Sequence, residues 1–424
     1  MITKRRIIVV AVILVSVLLV SAFTVAQLLS NVNMSDYTAQ CQKIFNDARV
    51  VVQSLRNSTL PNVTLHVITK QDAVDMWGKP SANADLTYIN RQEKVYKGLF
   101  LMAENDSLYQ ANVDWTANWG AATVGKNDIY VIKENFNPFD PGAEGTFVHE
   151  LTHVWQPALP AANTFDEDKA HSGLIEGDAS FVGSNYKNLA QSPVTPTPTP
   201  MAATVDDVPA FLIGNPLLSQ IHPMPQTVWD LDYFPYQYGS PWVGDLYHAG
   251  GFALVDRAYQ PGYIPVSSSQ ILHTSEYFAN ETPLQVSAPT VADSSWTLTQ
   301  ESQGQDHNTM GEFFVQEMLK NHISQTIAQN ASAGWRGDNF TYYERGTDFL
   351  FTWNIKWDNS SDASGFYVAF HDMAQAAGAT EQGTYNWYAN GRYLSITLDQ
   401  SANSTLIACS TVQAATTASN FSFS

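Results

Sequence analysis

The residues best suited to chemistry lie in one run, Thr146-Phe147-Val148-His149-Glu150-Leu151-Thr152-His153-Val154-Trp155. It reads His-Glu-x-x-His inside an apolar frame. On a helix, His149 and His153 stand one turn apart and leave the same face. Two imidazoles so placed can hold one Zn²⁺ at about 2.0–2.1 Å each. Glu150 sits about 100° round the helix, free to reach a water beside the metal without ligating it. Phe147, Val148, Leu151, Val154 and Trp155 would bury the helix and fix it in a core.

Two histidines leave coordination positions open, so a third ligand must come from elsewhere in the chain. Glu176, in Gly173-Leu174-Ile175-Glu176-Gly177-Asp178-Ala179-Ser180, follows His153 by 23 positions. That interval holds a turn and the start of a second helix, enough for a carboxylate to swing back onto the metal. Two histidines and one carboxylate leave a fourth position for water. His171 is the nearby alternative ligand. Asp178 is a candidate for orienting a ligand imidazole by accepting its other N–H.

His149, Glu150, His153 and Glu176 together resemble the gluzincin branch of zinc metallopeptidases. The chain is also similar to a little-characterised group of secreted or membrane-anchored prokaryotic proteins. Their pattern is matched by His149–Gln156, by Glu176-Gly177-Asp178-Ala179 and by Gly334-Trp335-Arg336-Gly337-Asp338. The likeness runs from about Ser54 to about Phe370. It implies a zincin-like α+β core built on a His-Glu-x-x-His helix and a glutamate helix, with Zn²⁺ as cofactor and Glu150 as general base. It implies a peptide or protein substrate, which such enzymes bind along an edge strand; Ala121–Val124 or Ile129–Ile132 would serve. A gluzincin also needs a donor to the oxyanion, usually His or Tyr. His273 is the first candidate, with Tyr247, His248 and Tyr277 behind it. It ends Ser267-Ser268-Ser269-Gln270-Ile271-Leu272-His273, which resembles a segment of the same group, although Ser269 stands where that group has an acid. The third motif marks the group but carries no role legible in the sequence. The competing expectations are a catalytically silent surface protein that binds proteins or glycans, and a zinc hydrolase of another amide or ester.

The elements that must position these residues are distributed over 424 residues. Hydrophobic residues at 44% and aromatics at 12% supply a sizeable core and exclude wholesale disorder. The net charge of −19 and pI near 4.7 exclude nucleic acid as a natural partner, because phosphate would be repelled. Lys4, Arg5 and Arg6 precede an uncharged run, Ile7–Ala26, long enough to span about 30 Å of hydrocarbon as a helix. The basic flank predicts export of everything after it. Thr24-Val25-Ala26 is a poor cleavage site, so residues 1–30 are expected to be a single-pass anchor holding the rest outside the cell; the alternative is a removed signal peptide. Asn-x-Ser/Thr triplets, as at Asn57, Asn62 and Asn105, fit a glycosylated cell-surface protein.

The organisation expected is a zincin-like half over 35–190 and a Pro/Thr-rich loop over 191–206. A mixed helical and α+β half follows over 207–400, then a loosely ordered tail over 401–424. Helices are predicted near 40–56, 86–103, 169–186, 242–258, 310–326 and 361–373. The metal helix is capped by Asp140 and stopped by Pro157, and Asp166 or Asp168 caps the next. Gly250-Gly251 marks a bend, and Asn390-Gly391 a hairpin. Cys41 and Cys409 either pair across the oxidising exterior or remain buried thiols.

Overall fold

A computed structural model describes residues 33–79, 83–190, 224–299, 308–417 and 421–422. The apolar run 7–26 and the Pro/Thr stretch 192–200 lie outside them. Among the described residues, no helix is long and apolar enough to cross a membrane. The fold is mixed α and β, as expected.

Helix α1 (Met34–Leu55) is capped by Asn33 and buries Tyr37, Cys41, Ile44, Phe45, Ala48 and Val52 on one face. Strand β1 (Thr64–Ile68) follows, then α2 (Asn83–Gly98) and α3 (Leu108–Ala117). Strands β2 (Ala121–Val124) and β3 (Asp128–Ile132) pair antiparallel, and β3 pairs parallel with β1. The order β1-β3-β2 leaves β2 at the edge. A parallel pair needs a long crossover, and α2 and α3 supply it.

The two helices that carry the motifs come next. α4 (Ala143–Trp155) starts after Gly142, two residues beyond the predicted Asp140 cap, and ends at Gln156 before Pro157. Phe147, Val148 and Leu151 are fully buried, with Phe147 edge-on to both Phe45 and Phe136. α5 (Phe165–Leu189) is capped by Thr164, whose hydroxyl accepts from Glu167 N. Neither Asp166 nor Asp168 caps it. Asp166 is buried instead, where it accepts from Ser268 N at 2.9 Å.

α6 (Gln226–Gln237) and α7 (Gly239–Arg257) lie against α5. The contact is backbone on backbone. A Cβ on Gly177 would stand 2.4 Å from the Gly239 carbonyl carbon, and one on Gly239 would stand 2.2 Å from Gly173 O. Only glycine permits that approach. It draws the end of α6 onto the turn of α5 that carries Glu176. α7 breaks at Gly250 and Gly251, as the glycine pair predicts.

Short helix α8 (Ser268–Leu272) leads to α9 (Glu312–Lys320). The single helix expected over 310–326 is two, because the chain turns after Lys320 and restarts at Gln325. Beyond it lies a seven-stranded sheet containing Trp335–Arg345, Asp348–Trp357, Arg392–Asp399 and Ser404–Ser410, with helix Ser360–Ala376 packed on it. The hairpin turns at Asn390 (φ 52°) and Gly391 (φ 80°). The expected loose tail over 401–424 is corrected here. Ser404–Ser410 is an interior strand, buried along its length, between Asp348–Trp357 and Arg392–Asp399. The Ser, Thr, Ala and Asn residues around it read as loop, yet the strand itself carries Leu406, Ile407, Ala408 and Cys409 into the core on both faces of the sheet. One hydrophobic core runs from Tyr37 to Cys409, so the parts before and after the Pro/Thr stretch fold on each other. Cys41 and Cys409 are both buried free thiols.

The Gly334–Asp338 motif has a structural job. Asp338 is 2% exposed and accepts from Met310 N at 2.8 Å, Gly311 N at 2.9 Å and Trp335 Nε1 at 2.9 Å. The loop it grips touches the start of α5, where Asp166 N donates to Thr309 O at 3.1 Å. The motif thus ties the large sheet to the glutamate helix. Gly177→Ala should lower the melting temperature by several degrees, because a backbone has to move. Gly244→Ala, whose Cβ would meet only the Phe181 ring at 3.5 Å, should be tolerated. Thermal melts of both variants check this.

Candidate metal centre

α4 and α5 cross so that His149, His153 and Glu176 face one another. A ligating atom from each lies within 4.8 Å of the others. His149 Nε2 and His153 Nε2 are 3.0 Å apart, and Glu176 Oε2 is 3.3 and 3.4 Å from them. Donors about 2.0–2.2 Å from a tetrahedral centre stand roughly 3.3–3.5 Å from each other. Glu176 Oε2 is buried and makes no hydrogen bond, although both imidazole nitrogens lie within 3.4 Å. An orphaned carboxylate oxygen between two ring nitrogens fits a small cation.

The electrostatics point the same way. Burial disfavours charge on His153, but Glu176, and then Glu150, outweigh it and push the imidazole up to about 9. Burial also acts against the Glu176 anion, yet His153 and His149 hold its carboxyl well below the usual range. The pair attracts positive charge strongly enough to retain a proton where a cation would otherwise sit.

Each imidazole has a second group at its other ring nitrogen. His153 Nδ1 lies 2.9 Å from Gln156 Oε1. Gln156 Nε2 donates to Ile175 O at 2.7 Å, and a carbonyl can only accept. That fixes the amide, so His153 Nδ1 carries the proton and Nε2 is left to ligate. His149 Nδ1 stands 3.4 Å from Ser180 Oγ. Lys126, on the β2–β3 turn, donates to His153 O at 2.8 Å and to Gln156 O, which closes the last turn of α4. Asp178 is fully buried but does not take an imidazole N–H. It accepts from Arg56, from Tyr259 Oη at 2.9 Å and from Gln156 Nε2 at 3.5 Å. The expected direct role is corrected by one link: Gln156 stands between Asp178 and His153.

Glu150 is 5% exposed, and its Oε2 accepts from Thr123 Oγ1 at 2.6 Å. The same hydroxyl lies 3.0 Å from Glu150 O. Edge strand β2 therefore aims this carboxylate. The structure does not bring His273 to the cluster. His273 Nε2 pairs with Glu312 at 2.9 Å, and that contact raises its proton affinity. His248 bonds Gly244 O in its own helix, Tyr277 bonds Tyr263 O, and Tyr247 packs on Phe181 and Phe252. His171 lies 3.8 Å from Glu167 and outside the cluster.

The phenol beside the cluster is Tyr236, which the sequence reading missed. Its ring stacks near His149, with centroids 6.4 Å apart, and its phenol feels the Glu176 and Glu150 carboxylates. Burial, then Glu176 and Glu150, raise its pKa well above the usual value, so it stays protonated. The available signal was spacing: Trp229, Tyr233 and Tyr236 fall on one face of α6 and stack in turn toward His149.

A family model described as a domain of unknown function (DUF8575) matches residues 298–418. Those residues carry most of the large sheet and none of the cluster. No curated protein and no solved structure matches the chain.

Without a bound cation, the His153–Glu176 pair should make stability depend on pH. A histidine raised from 6.5 to about 9 contributes fully below pH 6.5, and that contribution is lost as pH rises through 9. Chelator-treated protein should therefore melt at falling temperatures across that window. One equivalent of zinc should flatten the profile. A flat profile in the chelated protein would contradict this electrostatic account.

Proposed function

We propose that this chain is a zinc-dependent hydrolase, of the gluzincin kind, that cleaves peptide bonds outside the cell. One observation carries the reading: two histidines and a glutamate from two helices converge within 4.8 Å, with a second glutamate, Glu150, beside them. A zinc ion held there supplies a Lewis acid for the scissile carbonyl. The other work belongs to side chains. Glu150, held by Thr123, accepts the proton of the attacking water and returns it to the leaving amine. Tyr236, still protonated, donates to the oxygen on which negative charge develops. It takes the role that the sequence gave to His273.

Substrate binding follows from β2. Its second edge pairs with no strand among the described residues, so an extended peptide can add there. Thr123 joins that edge to Glu150, which places added backbone close to the base. The external location rests on the basic-flanked apolar run 7–26, with membrane anchoring as the simplest arrangement and secretion the alternative.

Glu150→Gln should keep one equivalent of zinc and lose activity on a peptide library by about 10²–10⁴-fold. Tyr236→Phe should lower kcat more than it raises KM. His149→Ala and Glu176→Ala should lose metal as well as activity. Zinc-loaded wild-type protein that cleaves nothing in a chelator-controlled library would favour a surface-binding role.

A further inference from the structure

Arg56 ends α1 and carries a guanidinium with no side-chain exposure. It donates to Asp178, also without side-chain exposure, and to Asp256 at 3.0 Å. Its Cζ lies 4.1 Å from the Trp155 ring centroid and 4.2 Å from that of Phe252. A planar cation held by two aromatic rings and two carboxylates has one orientation open to it. Such a pair is costly to bury, and apolar residues of similar volume often serve stability as well or better. Its presence asks for another reason.

The contacts supply one. Trp155 and Gln156 are the last residue of the metal helix and the residue that caps it. Asp178 lies two positions after Glu176. Asp178 accepts from Tyr259 at 2.9 Å and offers a second acceptor to Gln156 Nε2 at 3.5 Å. With Ile175 O, it keeps the Gln156 amide nitrogen turned inward and the amide oxygen turned to His153 Nδ1. An Asp178 released from Arg56 would be a buried charge without its counter-ion, and its carboxylate would turn away. That change leaves Ile175 O as the one remaining acceptor for Gln156 Nε2 and loosens the hold on the amide.

We infer that Arg56 is a positioning residue for the metal centre. Through Asp178 and Gln156, it holds His153 in the tautomer that leaves Nε2 free to ligate. The first helix thereby becomes part of the site, although it supplies no ligand to it. This inference rests on the metal reading above.

The test is zinc affinity, measured on the full chain by competition with a chromophoric chelator. Arg56→Lys keeps the charge but loses the planar fork and should weaken zinc binding about 10–100-fold. The double variant Arg56→Met/Asp178→Leu replaces the pair with apolar volume. If the pair served stability alone, this variant would recover both melting temperature and zinc affinity. A positioning role predicts recovered melting with zinc still bound about 10–100-fold more weakly. Should the double variant fold poorly, Tyr259→Phe decides, since it removes one hydroxyl and no charge. Its zinc affinity should fall several-fold with little change in apo melting. Tight zinc binding by wild type and equally tight binding by Arg56→Lys would overturn the inference and leave the metal reading standing. Wild-type protein that takes up no zinc would overturn both.

Discussion

Glu176 Oε2 is buried between two imidazole nitrogens at 3.3 and 3.4 Å, and no hydrogen bond satisfies it. An anionic oxygen in that position is expensive to hold. The surroundings are arranged to make it tolerable by bringing positive charge to the same point. His153 retains a proton up to about 9 because of this oxygen, and the same carboxylate helps hold the Tyr236 phenol in its protonated form. The histidine aimers, the helix crossing and the glycine contact behind Glu176 all serve to keep this one group where it is.

Rigidity around that group comes from three directions. Gly177 and Gly239 let α5 meet the α6–α7 junction backbone to backbone, which delivers Tyr236. Arg56 enters from α1 and lies between Trp155, at the end of α4, and Phe252 of α7. Asp338 binds the loop that rests on the start of α5. Burial pushes the Asp338 carboxyl up to about 6 against the pull of the backbone donors Met310 N and Gly311 N. The sheet that matches a family of unknown function therefore has a physical connection to the cluster outside that match. Loss of any one of these braces would be felt at His149, His153 and Glu176, since packed interiors transmit displacement.

Much of the site was legible because helical spacing is local physics. His149 and His153 share a face at any i, i+4 separation, and the apolar frame declares which face is buried. Glu176 stood out because a carboxylate beside a buried stripe needs a cation. The bend at Gly250-Gly251 and the turn at Asn390-Gly391 were likewise local conformational facts.

What the chain alone could not disclose were pairings made at long range. Glu150 is aimed by Thr123, which lies on a different element, and nothing in the local sequence of either announces the other. Tyr236 was hidden among nineteen tyrosines until the glycine contact brought α6 onto α5. His273 carried a suggestive sequence context, but Glu312 claims it across thirty-nine positions. Ser404–Ser410 looked like part of a tail because the Ser, Thr, Ala and Asn residues around it dominate the C-terminal stretch, whereas its burial is set by its interior place in the sheet. Sequence fixes which groups can ligate, donate or accept; tertiary structure decides which of them meet, because a charge or hydroxyl finds its partner through folding and not through its neighbours in the chain.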